Sequence, residues 1–129
     1  MAGSGIRVGL IGYGFVGKTF HGPMIAATPG LTLVAVASSR PREVGRDYSD
    51  VAVVPTPEDL IARDDLDLVV IASPNAPHRP LAEAALRSGK NVLVDKPFML
   101  SLSDARSVVE TARVCGKIVS VFQNRRWDS

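Results

Sequence analysis

Six short apolar runs recur along the chain: "IRVGLI" (6–11), "LTLVAVAS" (31–38), "VAVV" (51–54), "LDLVVIAS" (66–73), "KNVLVD" (90–95) and "KIVSVF" (117–122). They are rich in β-branched residues and apolar at successive positions, so both faces of each run are apolar. That is the pattern of strands in a parallel sheet covered on both sides. Between them the segments 15–27, 41–48, 57–63, 77–88 and 101–115 predict helices. Gly30, Gly89 and Gly116 follow three of these where a left-handed residue closes a helix, and Ser101 with Asp104 has the spacing of a capping box. Gly22-Pro23 falls inside the first helix and predicts a break near residue 22, because proline lacks an N–H and crowds the preceding turn. Six strands alternating with five helices predict a doubly wound α/β domain with a parallel sheet in the order 3-2-1-4-5-6.

With 129 residues, 46% hydrophobic and 22% charged, the chain can bury one core. It contains no internal repeat and no low-complexity tract. A net charge of +2 and a pI near 9.0 come from scattered charges with no run of one sign, which argues against nucleic acid or a membrane surface as partner. The apolar runs are too short for a transmembrane helix, and the start of the chain has no signal-peptide pattern. The single cysteine, Cys115, cannot form an internal disulfide and fits a reducing cytoplasm.

Chemistry enters with "GLIGYGFVGKTFHGP". Gly12, Gly14 and Gly17 have the spacing GxGxxG, directly after the first strand and at the opening of the first helix, which is the setting of a dinucleotide-binding turn. Gly12 permits the turn, Gly14 lets backbone approach a pyrophosphate, Gly17 lets helix and strand pack closely, and the helix start offers free N–H groups to the phosphates. Tyr13, Phe15 and Val16 are the other residues of this cofactor-binding turn. His21, beside the predicted break, reads as a packing or hydrogen-bonding residue rather than a ligand.

The second strand ends in "ASSRPR" where NAD-binding domains usually place a carboxylate for the ribose hydroxyls. Ser38, Ser39 and Arg40 instead offer hydroxyls and a guanidinium fork, which suit a 2′-phosphate and favour NADP over NAD. The alternative is that Arg40 and Arg42 are solvated loop residues. After the fourth strand, Ser73, Pro74 and Asn75 are placed to line the cofactor crevice. Asn75 could equally cap the next helix, and His78 is either a crevice residue or a packed first-turn residue. The fifth strand ends in Asp95 and Lys96. A lysine at that edge can hydrogen-bond a substrate hydroxyl and stabilise the alkoxide that develops as hydride leaves, although the pair could also be an ordinary surface pair.

"GYGFVGKTFHGPMI", "SPNAPH", "DKP" and "FQNRRWD" occur in the order and spacing of the glucose–fructose oxidoreductase/inositol dehydrogenase/MocA (Gfo/Idh/MocA) oxidoreductases, and the chain resembles that family over essentially its whole length. The resemblance implies that Lys96 is the catalytic lysine that positions substrate and handles the proton. The family's Glu-Lys-Pro stands here as Asp95-Lys96-Pro97, shorter by one methylene at the acid. Asn124 and Arg125 would face nicotinamide and substrate, with Trp127 nearby; otherwise Arg125, Arg126 and Trp127 anchor a domain boundary. Residues 1–5 are then a flexible start, 6–122 the dinucleotide-binding domain, and 123–129 the beginning of a linker. A second domain, absent from this chain, would complete the substrate pocket and carry the contacts of a homo-oligomer. The implied activity is hydride transfer between NADP(H) and a sugar, polyol or related hydroxyl or carbonyl compound in the cytoplasm, with this chain alone inactive. A non-catalytic NADP(H)-binding or sensing module is the alternative. An S-adenosylmethionine-dependent transferase explains neither "ASSR" nor "DKP", and nothing points to a metal.

Overall fold

The computed structural model describes residues 5–14, 17–72, 78–95 and 102–122, with the side chains at positions 17, 20 and 122 excepted. β1 (Ile6–Ile11), β2 (Leu31–Ala37), β3 (Ala52–Val54), β4 (Leu68–Ile71), β5 (Asn91–Asp95) and β6 (Val119–Phe122) form one parallel sheet in the order β3-β2-β1-β4-β5-β6. The alternation of elements predicts this order, because each helix carries the chain from one parallel strand to the next.

The doubly apolar runs explain why the sheet has two cores. Val8 and Leu10 of β1 pack with Ile25 and Val44, whereas Ile11 packs on the other face with Leu60, Leu81 and Val108. β4 divides likewise, Val70 to the first layer and Val69 and Ile71 to the second. Each such side chain, taken fully from water, contributes about 1.5–3 kcal/mol. The first layer is closed by α1 (Gly22–Ala27) and α2 (Pro41–Asp47), the second by α3 (Pro57–Ile61), α4 (His78–Arg87) and α5 (Leu102–Cys115). Gly9 lets the second layer rest directly on β1, since a Cβ there would lie 2.6 Å from Leu66 Cδ1 and 2.8 Å from Leu60 Cδ2.

Element ends follow local chemistry. Gly30, Gly89 and Gly116 all adopt positive φ, as their positions after helices require. Thr56 caps α3, its Oγ1 accepting from the Asp59 N–H at 3.1 Å. The Ser101 half of the expected capping box lies outside the described residues. β4 starts at Leu68 rather than 66, and Asp67 just before it serves as an anchor: its carboxylate accepts from the Arg7 backbone N–H at 2.8 Å and from the guanidinium at 3.0 Å. That contact holds the Asp67 carboxyl down at about 2. The predicted break at Gly22-Pro23 is a change of helix type, from a π-helical turn (Gly17–His21) to α1, with Pro23 in the first turn of α1. Proline is tolerated in a first turn, and the wide turn before it takes up the irregularity. No helix among the described residues is long and apolar enough to cross a membrane.

Candidate cofactor site at the carboxyl edge of the sheet

At the end of β1 the chain turns at Gly12, with φ +99°, a region that glycine enters without steric cost. The Gly12 N–H donates to the Ala37 carbonyl at 3.0 Å, and the Ala72 N–H donates to the Ile11 carbonyl at 2.8 Å. The ends of β1, β2 and β4 are thereby held together beneath the turn. Gly14 is exposed, and a Cβ built on it would meet no heavy atom within 4 Å. Nothing in the described protein fills that space. The Lys18 N–H donates to the Gly14 carbonyl at 2.9 Å, and Gly17 opens the π-helical turn. Phe15 and Val16 lie outside the described residues.

Tyr13 faces inward. Its side chain is 4% exposed, its hydroxyl donates to Asp47 Oδ2 at 2.5 Å, and its ring meets Tyr48 edge-on at 6.4 Å. Burial first, and then the Asp47 carboxylate, push its phenol well above the ordinary tyrosine range. What Tyr13 offers a ligand is therefore backbone, while its side chain bolts the glycine turn to the end of α2.

At the end of β2, Ser38 is nearly buried, and its Oγ accepts from the Arg40 N–H at 2.9 Å. The hydroxyl shapes the turn that leads into α2. Ser39 is exposed, and the Arg40 side chain is 64% exposed with Nη1 at 3.9 Å from Glu43 Oε1. Arg42 is exposed as well. Lys18 reaches the same carboxylate from the π-helical turn, its Nζ at 3.6 Å from Glu43 Oε2. Neither Lys18 nor Glu43 is among the residues that the sequence motifs single out. A signal existed in the position of Lys18 immediately after the third glycine and in the i,i+3 spacing of Arg40 and Glu43, but only folding brings residue 18 to residue 43.

On the other side of the edge, His78 opens α4 and is partly exposed, while Ser73, Pro74 and Asn75 lie outside the described residues. Asp95 ends β5 with its side chain 13% exposed. His21, fully buried, places Nε2 3.6 Å from Asp95 Oδ1. Burial lowers the imidazole pKa, and the negative charge of Asp95 works against that shift. His21 is thus the packed residue its position predicted, and it also joins the π-helical turn to the strand that leads into Lys96. Lys96, Asn124, Arg125, Arg126 and Trp127 lie outside the described residues. Among the described residues no group of three His, Cys, Asp or Glu side chains is placed to hold a metal ion.

Comparison with known proteins agrees with this architecture. Residues 6–123 match the model of an oxidoreductase family with an NAD-binding Rossmann fold, the Gfo/Idh/MocA family. The uncharacterized oxidoreductase YdgJ of Escherichia coli K12 is 52% identical over 124 residues, a match that covers 96% of this chain and 36% of YdgJ. The scyllo-inositol 2-dehydrogenase (NADP(+)) IolW of Bacillus subtilis 168 is 32% identical over 124 residues, covering 96% of this chain and 35% of IolW. A crystal structure of an oxidoreductase from Klebsiella pneumoniae superposes with a TM-score of 0.92 at 53% identity, over 96% of this chain and 36% of that one. The chain spans about a third of the length of the curated relatives it matches. It belongs to the Gfo/Idh/MocA oxidoreductase family, whose NAD-binding Rossmann fold it forms.

Proposed function

We propose that residues 6–122 are the cofactor-binding domain of an NADP-dependent oxidoreductase that transfers hydride to or from a sugar, polyol or related hydroxyl or carbonyl compound. Residues 123–129 would lead into a substrate domain that closes the pocket and mediates homo-oligomer contacts, and the enzyme would work in the cytoplasm. The observation that carries this reading is the empty space at Gly14. A glycine after a parallel strand, with nothing among the described residues against its missing side chain, leaves room for a pyrophosphate at the edge where doubly wound folds bind nucleotides. IolW, by its name an NADP(+)-dependent dehydrogenase of a polyol, supports both the cofactor and the substrate class.

On this reading Gly12 and Gly14 give the pyrophosphate close access to backbone, and Arg40 and Ser39 face the 2′-phosphate. Ser38 holds the turn that presents Arg40. Ser73, Pro74, Asn75 and His78 line the crevice between β1 and β4, and Asn124 and Arg125 orient substrate. Lys96, the residue after Asp95, hydrogen-bonds the reacting oxygen, holds its proton and stabilises the alkoxide. A bound nicotinamide supplies the hydride acceptor or donor. Calorimetric titration with NADPH tests the site. Gly14→Val should leave the domain folded, because its Cβ meets no atom of the described residues, and should abolish binding. Unchanged affinity in a folded Gly14→Val protein would remove the glycine-turn assignment.

A further inference from the structure

Lys18 and Arg40 reach one carboxylate from different elements, Lys18 from the π-helical turn after the glycines and Arg40 from the residue before α2. Glu43, in the first turn of α2, gives each of them one oxygen: Oε2 lies 3.6 Å from Lys18 Nζ and Oε1 lies 3.9 Å from Arg40 Nη1. Two oxygens of a phosphate monoester would engage the same two cations in the same way. The pairs are also easily exchanged. Both distances exceed hydrogen-bond length, Lys18 is 47% and Arg40 64% exposed, and exposed ion pairs of this kind contribute little to stability. A phosphate monoester brings about −1.5 to −2 charges and three strong acceptor oxygens against the single charge of Glu43.

We propose that Lys18 and Arg40 together form the 2′-phosphate site, and that Glu43 is a resident anion which holds both cations in place and sets how strongly the protein prefers NADP(H) to NAD(H). This deepens the NADP reading above and rests on it. Glu43 has two opposing effects. It keeps the two cationic side chains near each other when no phosphate is present, and once the phosphate arrives its own negative charge opposes binding. Toward NAD(H), whose ribose carries a 2′-hydroxyl, a carboxylate beside the end of β2 is an acceptor, so Glu43 narrows the difference between the cofactors from both sides.

The test is titration of the full protein with NADP+ and with NAD+ in four forms: unmodified, Lys18→Gln, Arg40→Gln and Glu43→Gln, each first checked for thermal unfolding. The unmodified protein should prefer NADP+. Lys18→Gln and Arg40→Gln should each weaken NADP+ by roughly ten-fold or more, the loss of one charge-assisted contact, and leave NAD+ nearly unchanged. Glu43→Gln should move the other way, tightening NADP+ by about three- to five-fold relative to NAD+. If Arg40→Gln weakens NADP+ while Lys18→Gln does not, the NADP reading stands and the two-cation site is wrong. If Glu43→Gln lowers the unfolding temperature and weakens both cofactors equally, Glu43 is structural and the proposal fails. If the unmodified protein binds both cofactors alike and Arg40→Gln changes neither, the NADP reading falls and takes the inference with it.

Discussion

Tyr13 stands between the two glycines of the turn, yet its side chain belongs to the protein rather than to a ligand. The hydroxyl on Asp47 and the ring against Tyr48 fix the turn from below, so the backbone above it keeps one shape. Tyr13→Phe removes that hydrogen bond and leaves an exposed carboxylate that water can solvate, so the loss should be modest, about 1 kcal/mol in denaturant unfolding. Unchanged stability would show that the contact does not hold the turn. Single residues were legible in sequence where one local property decides their role. Gly12 needs a positive φ, and a GxGxxG directly after a strand announces it. The inward orientation of Tyr13 was not legible, because it depends on a partner 34 residues away.

At the level of elements, the link between the π-helical turn and β5 joins the glycine turn to the strand that precedes Lys96. His21 and Asp95 make that link, and its pH behaviour follows from burial. The folded state lowers the His21 pKa below the ordinary 6.5, so the unfolded chain binds more protons in the interval between the two values. Stability is therefore full above pH 6.5 and falls as pH drops through it, down to the folded value. Denaturant unfolding at pH 7.5 and 5.5 should show a loss on acidification that His21→Gln reduces; an identical loss in both proteins would contradict the buried neutral imidazole. Strands and most helices were readable because apolar periodicity and glycine or proline punctuation are local signals. The π-helical turn was readable only as an irregularity at Gly22-Pro23, since its widened turn has no hydrophobic period of its own over five residues. The start of β4 shifted to Leu68, where the Arg7 and Asp67 contact across the sheet fixes the entry to the strand.

Across the whole molecule, the sheet order followed from the alternation of strand and helix, and the sheet order brings the ends of β1, β2, β4 and β5, where the candidate site lies, to one edge. What sequence could not supply was convergence between distant segments: Lys18 and Arg40 on Glu43, and His21 beside Asp95. On the proposed function, this edge holds NADP(H) beside a lysine that handles the substrate proton. The proposal gives that task to Lys96, the residue after the end of β5 that also stands in the family's Lys-Pro motif. The most direct measurement is steady-state turnover of Lys96→Met in the full protein, taken beside its dissociation constant for NADPH. Methionine keeps much of the side-chain length and deletes the ammonium. NADPH affinity should survive, while turnover should fall by about 10²- to 10⁴-fold, the range for loss of a positioned acid/base group. Near-normal turnover with only a small loss of stability would contradict the account.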